Sequence, residues 1–181
     1  MKSSHLILIV FVVAAVAFVF YSMQGGQSDE EYAKVIQKER EDKDHFMKTS
    51  SASPFVNNTE NFKGLSYFPP DQKYRVNADL KIDSKKVVML PTSDGKEARY
   101  LEYAYASFAL DGTENQLLIL EVMDAGPDRG KLFLAFADAT SAQETYGAGR
   151  YLDIKKVPGS TAVMLDFNLA YNPYCAYTDR F

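Results

Sequence analysis

From Tyr74 to Asp166 the chain alternates apolar and polar residues in short runs separated by turn residues, with no helical period between them. That pattern restricts this part of the chain to antiparallel β architecture. Tyr74, Val76, Ala78, Leu80 and Ile82 alternate with Arg75, Asn77, Asp79 and Lys81, a strand with one wet face. "KKVVMLPT" predicts the next strand, and Asp94-Gly95 is a hairpin signal before "EARYLEYAYASFAL". In that run Arg99, Leu101, Tyr103 and Tyr105 share one face. Asp111-Gly112 predicts a second tight turn, and "QLLILEV" (Gln116 to Val122) is apolar enough to be a buried central strand. "KLFLAFAD" is the fifth run; Pro158-Gly159 then makes a turn before "TAVMLDFN". Six or seven such strands over residues 49–181 predict a mainly β domain, an antiparallel β-sandwich or open barrel.

Two segments precede it. Leu6 to Met23, "LILIVFVVAAVAFVFYSM", carries no charge, and as a helix it spans roughly 27 Å, the thickness of a bilayer core. Residues 1–28 therefore read as a transmembrane signal anchor and hinge, with the membrane as a partner through Leu6–Met23. A cleaved signal peptide is the alternative, giving a secreted domain, but the run is long and lacks an A-x-A site. Lys2 and His5 precede the run and "SDEE" follows it, so the domain is expected outside the cytoplasm, in the periplasm or extracellular space. Ser28-Asp29-Glu30-Glu31 fits a capping box. It predicts a charged amphipathic helix over 29–48, supported by Glu30–Lys34 and Glu39–Lys43 pairs. "QKEREDKD" is polar all round, so the expected helix docks only at its ends or spaces the domain from the membrane.

Charge and composition remove several functions. The net charge is −4, and Lys2 is the sole charged side chain before Asp29, so no basic face exists for nucleic acid. The single cysteine, Cys175, makes no internal disulfide. As a nucleophile it needs a base, and the two histidines are His5, beside the apolar run, and His45, on the charged helix. No zinc spacing, Walker loop or G-x-S-x-G elbow is present, and no metal or cofactor is indicated. Asp124, Asp128, Asp138 and Asp153 suit a hard cation in chemistry but not in spacing.

Polar and aromatic residues concentrate in "FADATSAQETYGAGRYLD" (Phe136 to Asp153) and "DFNLAYNPYCAY" (Asp166 to Tyr177). Glu144, Tyr146, Arg150, Asp166, Asn168 and Asn172 are the candidate ligand-binding residues. Aromatic walls with a few convergent polar groups suit a small ligand. A hydrolase reading uses Glu144 and Asp166 as a carboxylate pair. A third reading is structural, with Arg150 between those two carboxylates as a buried ion cluster.

"DATSAQETYGAGRYLD" followed by "DFNLAYNPYCAY", with "SPF" at Ser53 to Phe55 and "FKGLSYFPPDQKYRV" at Phe62 to Val76, resembles domain-of-unknown-function family 1684 from about Phe46 onward. The resemblance implies a prokaryotic protein behind a signal or anchor sequence, and implies no activity. Two departures stand out. The family's glycine after Thr-Ser is Ala142 here, and similar proteins continue past Cys-Ala-Tyr into a second cysteine and a final strand. The resemblance thus implies a C-terminally shortened chain. The function expected is non-enzymatic binding of a small ligand or an envelope protein by a membrane-anchored domain.

Overall fold

The computed structural model describes residues 27–82, 86–91, 96–155 and 157–178. The Leu6–Met23 run and the Asp94-Gly95 turn lie outside them. No helix among the described residues is long and apolar enough to cross a membrane.

Seven strands form one antiparallel sheet: β1 (Arg75–Lys81), β2 (Val87–Pro91), β3 (Glu97–Leu110), β4 (Thr113–Val122), β5 (Leu132–Phe136), β6 (Arg150–Ile154) and β7 (Ala162–Asp166). Their order is β6-β5-β4-β3-β1-β7. The long β3 serves two partners on the same side: its first half pairs with β2 (Val87↔Leu101) and its second half with β1 (Leu80↔Ala106). A register shift between Glu102 and Ala104 divides the halves. Such a bulge bends a strand and sharpens its twist, and the sheet curls into an open barrel. The two ends of the sheet order are tied just past β7: the amide of Tyr151 on β6 donates to Tyr171 O at 2.8 Å, and Tyr171 N–H returns to Tyr151 O at 3.0 Å. The sandwich alternative is therefore not adopted, because there is one curled sheet rather than two facing ones.

The register explains the core. Ala78 pairs with Val163, Ala106 with Leu117, Ile119 with Leu134, Leu134 with Leu152 and Leu132 with Ile154. Side chains alternate along each strand, so these residues share the concave face; all but the partly buried Leu117, which packs against them, form one buried cluster with Phe108 and Leu165. β4 is the buried central strand that its composition predicts, with Ile119 and Leu120 buried. In β3 the buried residues are Ala104, Ala106 and Phe108, while Tyr103, at the bulge, packs partly against the same core. The expected face of Arg99, Leu101, Tyr103 and Tyr105 does not run unbroken because the bulge interrupts the alternation. Asp111 and Gly112 have φ of 49° and 75°, joining β3 to β4 with Leu110 opposite Thr113, as a primed hairpin turn requires.

The helix α1 (Asp29–Thr49) starts as its capping box dictates: Glu31 N–H donates to Ser28 Oγ at 3.2 Å, and Ser28 N–H to Glu31 Oε2 at 3.3 Å. Lys34 pairs with Glu30 at 2.9 Å. The expected solvated span is corrected by the packing. Tyr32, Ile36, Arg40 and Met47 are all buried, so the helix docks along its length. Arg40, from the polar run, sits on the same stripe one turn beyond Ile36. Lys43 does not pair with Glu39 as predicted: its ammonium lies 3.4 Å from the centre of the Tyr171 ring.

Candidate functional site

One mouth of the barrel opens into a cleft of about 1480 Å³. Its floor is the end of the concave face: Phe108, Leu110 and Leu117 from β3 and β4, Phe136 from β5, and Phe167 after β7. Phe167 is wedged between two of these rings, with centroids 5.5 Å from Phe108 and 5.1 Å from Phe136. Residues 61–72, an extended arm containing Tyr67, Phe68 and Pro69-Pro70, form the opposite wall, and α1 contributes Tyr32 and Arg40.

Arg150 opens β6, opposite Phe136 in register and on the inward parity of Leu152 and Ile154. Its guanidinium donates to Asp138 Oδ2 at 2.6 Å and lies 5.1 Å from the Phe136 ring centre. Asp138 is itself held by the Thr140 amide at 2.9 Å and hydroxyl at 2.6 Å. Burial pushes its carboxyl pKa up, but the Thr140 hydrogen bonds and the Arg150 charge outweigh that and hold it below the usual carboxylate range. The predicted Glu144–Arg150–Asp166 cluster is thus corrected: the counter-ion of Arg150 is Asp138. Glu144 borders the cleft on an exposed loop, its amide bonded to Thr140 O.

Asp166 belongs to a different constellation. The Tyr32 hydroxyl is 2.8 and 2.9 Å from its two oxygens, and Asn168 N–H donates to Oδ1 at 3.1 Å. Asp166 does not line the cleft, and among the described residues it shares no hydrogen-bond partner with Glu144. Asn168 is buried and central: Nδ2 donates to the Tyr32 hydroxyl at 2.7 Å and Asp71 O at 2.9 Å, and Oδ1 accepts from Asp71 N–H at 2.9 Å. Its own carbonyl accepts from Arg40 Nη2 at 3.0 Å. Burial, then the neighbouring Asp166 carboxylate, raises the Tyr32 pKa well above the ordinary phenol value.

Of the other candidates, Asn172 borders the cleft and hydrogen-bonds Tyr177, whose ring lies 5.3 Å from Phe55. Tyr146 lies off the cleft, and the neighbouring Cys175 pushes the phenol's pKa up; the neighbour of Cys175 is thus a tyrosine. The four aspartates considered for a cation go separate ways: Asp124 to Arg99, Asp128 to Lys131, Asp138 to Arg150 and Asp153 to the Tyr171 hydroxyl. No group of three or more metal-ligating side chains occurs among the described residues.

Reading the sequence missed Arg40, Tyr32, Asp138 as partner of Arg150, and strand β6. Signals existed for two of them. Arg40 continues the Tyr32–Ile36 spacing, and Leu152 and Ile154 alternate with Tyr151 and Asp153.

A family model described as "Protein of unknown function (DUF1684)" matches residues 60–181. The solution NMR structure of an uncharacterized protein from Haloarcula marismortui is similar, with 38% identity, a TM-score of 0.64 and 83% of each chain covered. No curated protein matches.

Proposed function

The chain belongs to the DUF1684 family, and from that premise we propose that it is a non-enzymatic binding module, whose barrel-mouth cleft holds a small ligand outside the cytoplasm while Leu6–Met23 anchors it in the membrane. The observation that carries this reading is the cleft itself. An apolar floor of Phe108, Phe136 and Phe167 meets a few polar groups, Arg150, Asn168 and Asn172, at its walls, which is the usual make-up of a ligand site. Barrel mouths are a common place for one.

The hydrolase alternative is weaker on geometry. A general acid and base must both reach the substrate, whereas Glu144 borders the cleft and Asp166 is turned to Tyr32. A purely structural role suits Asp166 and Asn168 better than it suits Arg150, which keeps its ion pair at the cleft wall.

The test is a thermal-shift screen of the full chain, held in lipid nanodiscs, against small molecules. At least one compound should raise the melting temperature saturably, and the cleft-filling variant Leu110→Trp should lose that response. A screen with no stabilising compound overturns the binding reading. Sequencing the N-terminus of the protein recovered from membranes tests the anchor separately: a mature chain starting near Asp29 means a cleaved signal.

A further inference from the structure

Arg40 is 8% exposed and borders the cleft. Its Nη1 donates to Phe68 O at 2.8 Å, its Nη2 to Asn168 O at 3.0 Å, and its Nε has no partner. The guanidinium stacks 4.7 Å from the Tyr67 ring centre. All of these partners are neutral. The nearby carboxylates make their hydrogen bonds to other, neutral groups, Asp44 to the Leu65 amide and the Tyr67 hydroxyl and Asp166 to Tyr32, so their charge acts on Arg40 only from a distance. Arg150, Arg99 and Lys34, by contrast, each hold a carboxylate. Among the described residues no carboxylate forms an ion pair with Arg40, and dipoles recover only part of a buried cation's lost hydration. Burial pulls the Arg40 pKa down, outweighing the opposing influence of Tyr67, Tyr32 and the more distant Asp166 charge.

We propose that the counter-ion is the ligand: the cleft takes an anionic amphiphile, a carboxylate on an apolar chain, with Arg40 as its electrostatic anchor. This rests on the binding reading above. The planar guanidinium suits a carboxylate. Phe108, Leu110, Leu117, Phe136 and Phe167 supply an apolar bed for the chain. At about 1480 Å³ the cleft exceeds the ~300–1000 Å³ of ordinary ligand sites, so it has room for an extended molecule rather than a compact one. The acidic groups at the cleft leave the anion a place. Asp138 is neutralised by Arg150, while Asp29, Asp71 and Glu144 are exposed to water. Asp29 lines the cleft and lies six residues after Met23, a reach of at most about 20 Å. With the leader as anchor, the cleft lies within that distance of a bilayer, the natural reservoir of anionic amphiphiles.

The experiment is calorimetric titration of the full chain in lipid nanodiscs with decanoate and with decanol, of equal chain length, using empty nanodiscs as the blank and a pH at which decanoate is ionised. Decanoate should bind at least tenfold more tightly than decanol, and Arg40→Met, checked for folding by its melting curve, should lose that preference while still taking decanol. The wild-type comparison decides even where the variant does not fold. Equal binding of the two probes overturns the charge inference and leaves the binding reading standing. Binding of neither overturns both. A folded Arg40→Met that keeps the preference removes Arg40 from the role.

Discussion

Gly149 has no room for a methyl group. A Cβ placed there would lie 2.5 Å from Phe136 O, and its φ of +96° is one that other residues rarely adopt. Gly149→Ala should therefore destabilise the protein by on the order of 3 kcal/mol, read from urea unfolding. Ala142 presents the opposite case. It holds φ at 62°, so Ala142→Gly should stabilise by up to about 1 kcal/mol in the same assay, the relief of left-handed strain exceeding the added chain entropy. Asp138 links stability to pH. Its pKa is lower in the folded chain than in the unfolded one, so its contribution is complete at neutral pH and drains away as pH falls through the unfolded value toward the folded one. Urea midpoints measured across the acid range should fall less steeply in Asp138→Asn than in the wild type.

At the scale of elements, α1 is held to the barrel by a polar clasp. Tyr32 donates to Asp166 and accepts from Asn168, and Arg40 reaches the Asn168 carbonyl. Tyr32→Phe keeps the ring but removes the hydroxyl that Asn168 Nδ2 and both Asp166 oxygens share, leaving Asp166 Oδ2 without that donor, and should cost about 1–3 kcal/mol by chemical denaturation. The elements written in local chemistry are legible in the amino-acid sequence alone. The Ser28–Glu31 box sets the helix start, Asp111-Gly112 sets its hairpin, and alternation sets β1. The docking of α1 is not, because it depends on residues 28 to 136 positions away. The polar run looks solvated only because burial of Arg40 is invisible without Phe68 O and Asn168 O beside it. Strand β6 is only faintly marked, by the alternation of Leu152 and Ile154 with Tyr151 and Asp153. Its five residues follow a glycine-rich loop, and their strand character comes from pairing with β5.

Across the whole molecule, topology decides which candidates meet. The two late motifs read as one polar cluster in sequence; the barrel joins them at Tyr151 and Tyr171 but sends Arg150 and Asp166 to different partners. Arg150 faces the cleft from β6, and Asp166 leaves β7 toward α1. The cleft is foreshadowed in composition, as aromatic walls around Arg150, Asn168 and Asn172. Its floor is not, since Phe108 and Leu117 come from strands that reveal their inward ends only when curled together. A chain ending at Leu165 should leave α1 undocked, and trypsin should then cut within Asp29–Thr49 at sites the full chain protects. The clasp also has a temporal side. Tyr32 waits for Asp166 and Asn168, 134 and 136 positions later. At ribosomal rates of ~5–20 residues per second that interval is on the order of ten seconds. Throughout it the helix emerges without the partners that clasp Tyr32 and Arg40, so its docking belongs to the last stage of a newly made chain's folding.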